Sequence, residues 1–119
     1  MKVLLIGLAG SIGAVCRYYL STWIQQKFNN KFPFATFIVN AAGCLLMGIW
    51  YGLYESQLMN LTAWQVLSLG FLGAFTTFST FSYEALTLYR KSKLYSLLYL
   101  FCSFVVALLF AVLGYSIIN

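Results

Sequence analysis

Residues 94–118 read LYSLLYLFCSFVVALLFAVLGYSII, an apolar run without one charged side chain. A helix needs about 20 predominantly apolar residues to cross the hydrocarbon of a bilayer, and this run is long enough. Three earlier stretches, 64–89, 34–54 and 3–24, have comparable length and character. Short polar loops at 25–31, 55–60 and 90–93 join the four. Pro33 stands at the start of the second run, where its missing N–H costs nothing. The expectation is an all-α membrane protein, residues 1–119 forming a single four-helix transmembrane domain. The first run carries Arg17 and continues to about Trp23, so it reads as a retained helix and not as a cleaved leader.

Composition narrows the function classes. Hydrophobic residues make up 62% of the 119-residue chain and charged residues 8%. A soluble domain of this size could not hide so much apolar surface in its own core. There is no histidine, so the commonest general base and metal ligand is missing. The net charge of +5 comes from Lys2, Arg17, Lys27, Lys31, Arg90, Lys91 and Lys93 against Glu55 and Glu84. These few cations sit mostly between apolar runs, as anchors at the membrane surface and not as a nucleic-acid face. Cys16, Cys44 and Cys102 are far apart and lie inside apolar runs, which reads as three small, buried, reduced thiols. The loops with Lys27, Lys31, Arg90, Lys91 and Lys93 fall on one side, cytoplasmic by the positive-inside rule, with both termini outside.

Polar groups within the membrane are costly, so they are where function is sought. In GFLGAFTTFSTFS, residues 70–82, five hydroxyl residues fall within seven positions beside two glycines. Such a run should not face lipid. Two readings stay open: a break in the helix near residues 73–77, with freed carbonyls able to bind a cation, or an intact helix whose hydroxyls bond back to their own carbonyls. Phe78 and Phe81 are three apart and share a face. With Ser79 and Thr80 they offer electropositive ring edges and O–H donors, suited to holding a small anion weakly. By spacing alone an ordinary packing stripe is the better reading of them.

Thr36 and Asn40 lie one turn apart in the second run, as interhelical glue or as a polar lining. Arg17, in the last third of the first run, reads best as a structural residue near the membrane surface. Tyr99 and Ser103 share a face of the fourth run. Gly7, Gly10, Gly13 and Ala14 in the first helix, and Gly48 and Gly52 in the second, are placed for close helix packing.

Taken together, GAVCRY at 13–18, TFIVNAAG at 36–43 and the 70–82 run resemble the Fluc (CrcB) family of fluoride channels over nearly the whole chain. The resemblance implies a passive fluoride channel in the bacterial cell membrane, with two pores at an antiparallel dimer interface. It implies Asn40, Phe78, Ser79, Thr80, Phe81, Tyr99 and Ser103 along the fluoride pathway. It also implies backbone carbonyls of Gly73 and Thr76 around a central, structural Na+. Arg17 matches the family arginine, in a structural or vestibule role with Thr36. Departures from the family pattern are Ala35 and Ala107, the latter at the outer end of the polar track, while Ala74 supplies the small residue expected after Gly73. Because the basic residues favour one orientation, the expected partner is either an antiparallel second copy or a paralogous subunit inserted the other way.

Rival functions demand residues that are missing. A small multidrug-type cation/proton exporter needs a carboxylate in the first helix, and neither glutamate is there. A thiol oxidoreductase needs paired reactive cysteines. A purely structural membrane subunit would not need the hydroxyl run of residues 76–82. No enzyme chemistry is visible.

Overall fold

The computed structural model describes residues 1–27, 33–76 and 78–118, with the side chains of 78–80 outside the description. Lys31, one of the expected surface cations, lies outside the described residues. The described chain is helical throughout: α1 (Lys2–Lys27), α2 (Phe34–Glu55), α3 (Leu61–Gln65), α4 (Gly73–Phe75), α5 (Phe78–Lys91) and α6 (Lys93–Ile118), with a π-helical stretch Val66–Leu72 between α3 and α4. α1, α2 and α6 are each long and apolar enough to cross a membrane. Leu61–Phe75 is a shorter apolar helical stretch. The longest dimension of the fold is 46 Å, comparable to a bilayer with its headgroup layers, about 40–45 Å.

Local sequence explains the element ends. Asn60 caps α3, its side-chain oxygen accepting from the Ala63 N–H at 2.7 Å. Ser92 separates α5 from α6, and its N–H donates to the Leu88 carbonyl at 2.6 Å. At Thr76 the backbone turns extended, with φ −86° and ψ 155°. The chain therefore leaves the helix inside the window where glycines and hydroxyls weaken it. The Thr76 hydroxyl also bonds back to the Leu72 carbonyl at 2.8 Å, so helix exit and back-bonding coexist there.

The outer surface is apolar. Leu8, Val15, Leu69, Leu97, Phe101, Phe104 and Leu108 are all exposed. An apolar exterior of this extent on helices of this length defines a membrane protein. Inside, Ile24, Ala35, Val39, Leu72 and Phe75 form one core, and Ala85, Leu88 and Tyr99 a second, flanked by Phe37 and Phe81. The buried Ser96 hydroxyl ties α6 to α5 by donating to the Ala85 carbonyl at 2.7 Å.

Small residues set the closest approaches. A Cβ on Gly13 would lie 2.2 Å from the Phe71 carbonyl oxygen, and one on Gly70 would lie 2.7 Å from the Ile6 carbonyl oxygen. α1 thus packs against the π-helical stretch backbone to backbone, as small residues permit in lipid. Gly7, expected on the same packing flank, has open space beside it, because α1 turns Ile6, Ala9, Gly10 and Gly13 toward the π-helical stretch and Gly7 off that face. The thiols of Cys16, Cys44 and Cys102 are free, but Cys16 and Cys102 are exposed on the apolar exterior and not buried as expected, because their helix faces turn away from the core.

Candidate functional site: a polar groove beside the helix break

A groove of about 690 Å³ runs between α2, the break and α6. Asn40, Gly73, Thr76, Phe81 and Ser103 all line it, with Gly43, Cys44, Met47 and Ala107. α2, the π-helical stretch with the break, α5 and α6 all contribute, and at the break Thr76 stands against α2. The approach is tight: a Cβ on Gly43 would lie 2.3 Å from the Thr76 methyl carbon. The Ser103 hydroxyl oxygen is buried without a hydrogen-bond partner among the described residues. A buried hydroxyl of this kind retains its capacity to donate and accept.

Tyr99, one turn before Ser103, is fully buried, its ring 5.1 Å from that of Phe81. Its hydroxyl meets the carboxylate of Glu84, which also meets the hydroxyl of buried Thr36. Sequence reasoning did not select Glu84. Its signal was spacing: Phe81, Glu84, Ala85 and Leu88 fall on one helical face, the face that packs on Tyr99.

Beyond Glu84 and Thr36, a second cavity of about 300 Å³ is lined by Arg17, Tyr18, Ser21, Thr22, Gln25 and Glu84. The Arg17 Nε is buried without a partner among the described residues. The polar groups therefore fall into a sequence. Arg17 leads to Thr36, Glu84 and Tyr99, then to the Phe81 ring, and then to Asn40 and Ser103 in the groove. Phe78, Ser79 and Thr80 form the first turn of α5, and their side chains lie outside the described residues.

A string of hydroxyls, an amide, ring edges and one guanidinium, threaded through an apolar helical membrane protein, is the anatomy of a transport protein for a small polar or ionic solute. The chain belongs to the CrcB family: the profile of the CrcB-like protein, Camphor Resistance (CrcB), matches residues 4–115. A relative from Bacillus cereus, named fluoride-specific ion channel FluC 2, is 40% identical over 116 residues, covering 96% of this chain and 94% of that protein. One from Methanosarcina acetivorans, named fluoride-specific ion channel FluC 1, is 49% identical over 96 residues, covering 80% and 72%. One from Nitratidesulfovibrio vulgaris, named fluoride-specific ion channel FluC, is 43% identical over 93 residues, covering 77% and 75%.

Proposed function

We propose that this chain is one subunit of a fluoride channel and not an enzyme. The observation that carries the reading is the groove: an amide, a ring and a buried serine hydroxyl without a partner among the described residues converge on one open face of the subunit. In this reading the chain crosses the bacterial cell membrane four times, α3 to α5 forming one broken crossing. Two copies pair in opposite orientations across the groove, so that each of two pathways is completed by the other subunit.

Fluoride passes by electrodiffusion. Arg17 draws the anion into the second cavity. The hydroxyls of Thr36 and Tyr99, held in place by Glu84, mark the way inward. The ring edges of Phe81 and Phe78 and the donors of Asn40, Ser79, Thr80 and Ser103 replace its water. Such donors bind a small anion without a fixed cation and so release it again. Export follows from acid trapping: HF crosses bilayers, ionises in a near-neutral cytoplasm, and the anion needs an exit.

Oxygen donors suit a hard monovalent cation. Gly73 and Thr76 both face the groove at the point where the backbone turns extended. Their carbonyls, with those of the second subunit, would hold a structural Na+ that ties the two breaks together. An alternative partner is a related subunit of opposite orientation. The one-sided placement of Lys27, Arg90, Lys91 and Lys93 favours it.

The test is release of fluoride from liposomes loaded with potassium fluoride and containing this chain alone, with valinomycin added. Rapid release is expected, with chloride-loaded vesicles silent. Phe81→Ile should slow release about tenfold, the factor carried by about 1.4 kcal/mol of lost ring-edge stabilisation. Folded protein that releases nothing, alone or with a related subunit, would refute the reading.

A further inference from the structure

α2 and α6 run side by side in the same direction: Phe37 packs on the cluster of Tyr99 toward their N-terminal ends, and further along a Cβ on Gly48 would meet the Ala111 carbonyl oxygen. Near their C-terminal ends the Tyr115 hydroxyl donates to Glu55. Tyr51 lies 5.7 Å from the Trp64 ring and 5.8 Å from the Tyr115 ring. These groups line a cavity of about 420 Å³ with Met47, Ala111 and Val112. Met47 and Ala111 also line the polar groove, so the two spaces share a wall. The opposite end of the molecule is basic. Arg90 and Lys91 close α5 and Lys93 opens α6, all exposed. The Lys93 Nζ sits 5.6 Å from the Tyr89 ring.

We propose that Glu55 and its aromatic neighbours receive Lys93 of a second copy, and that this pairing selects the antiparallel orientation of the dimer. The inference rests on the dimer reading above and adds what specifies its orientation. Charge and geometry argue it together. α6 spans Lys93–Ile118, so its midpoint falls between Val105 and Val106, within the groove-lining part of the helix. At about 1.5 Å per residue, Lys93 lies roughly 19 Å from that level and Tyr115 roughly 14 Å on the other side. A copy inverted about the midpoint therefore brings its Lys93 within about 5 Å in height of Tyr115, inside the reach of a lysine side chain. A carboxylate ringed by Tyr51, Trp64 and Tyr115 suits an ammonium by ion pairing and by cation–π attraction. A parallel pair would set Glu55 level with Glu55 and the basic turn level with its own image. Like charges opposed in this way reject the wrong arrangement.

The test uses the full chain in detergent and in liposomes, on a cysteine-free background, with Glu55→Cys and Lys93→Cys singly and together. Within one copy the two positions lie at opposite ends, so a short bis-maleimide can join them only between copies. The double variant should form covalent dimers and neither single variant should. Separately, Glu55→Lys should weaken dimerisation roughly tenfold, since the two-fold axis repeats the pair. Adding Lys93→Glu should restore it. A light-scattering mass of a dimer without cross-linking, or Glu55→Cys cross-linking to itself, would overturn the pairing while leaving the dimer standing. A mass of one chain from protein that still releases no fluoride would overturn both. Dimerisation unmoved by Glu55→Lys would also overturn the pairing.

Discussion

Gly43→Ala probes the junction on which the candidate site depends. A Cβ at residue 43 would stand 2.3 Å from the Thr76 methyl carbon, where ordinary contact begins near 3.4 Å. One of the two must retreat by about 1 Å, the difference of those distances. Thr76 cannot turn freely, because its hydroxyl is bonded to the Leu72 carbonyl and its N–H to the same oxygen at 3.0 Å. Overpacking of this kind costs about 1–3 kcal/mol, and loss of the hydroxyl bond would add about 1 kcal/mol. Thr76→Ser removes the methyl and keeps the hydroxyl and the carbonyl. Gly43→Ala should therefore lower thermal stability in detergent and slow fluoride release from liposomes. In the Thr76→Ser background the same change should be nearly harmless. The double-mutant cycle should give a coupling of at least about 1 kcal/mol. Additive effects, within about 0.5 kcal/mol, would refute the claim that the break is pressed against α2 through this methyl group.

Gly48→Ala places a Cβ 2.1 Å from the Ala111 carbonyl oxygen; thermal unfolding should show a loss of about 1–3 kcal/mol, which no single side-chain truncation in α6 relieves because the obstacle is backbone. Glu84→Gln keeps a group that can bond to the Thr36 and Tyr99 hydroxyls, whereas Glu84→Ala leaves both buried hydroxyls deprived of that partner. The alanine variant should lose about 1–3 kcal/mol and most fluoride release, and the glutamine variant much less of either, read by unfolding and by the liposome assay.

Much of the architecture is legible because lipid imposes simple rules. Apolar runs such as residues 94–118 have one stable form in a bilayer, a helix that satisfies its own backbone. The exit from helix at Thr76 has a sequence cause as well, the glycines and hydroxyls clustered between 70 and 82. The π-helical stretch Val66–Leu72 has no such sign in VLSLGFL. It is tied to the backbone contact with α1 at Gly13, a partner nearly sixty residues away in the chain.

The candidate site divides the same way. Asn40, Phe81 and Ser103 could be chosen from sequence because a polar or paired aromatic residue inside an apolar run stands out. Glu84 does not stand out, because it lies near the end of an apolar run. Only the packing of α5 on α6 and α2 turns it inward, toward Tyr99 and Thr36. By itself, then, the sequence determined that the chain is helical, membrane-embedded and weakened at residues 73–77, since length and polarity along one chain decide those matters. The tertiary structure decided which faces meet. It put Gly13 and not Gly7 against the π-helical stretch, made one groove from residues as distant as Asn40 and Ser103, and drew Glu84 into the polar line. Periodicity gives each helix a face, but the face it packs against is set by close approach, and that is a property of two helices at once.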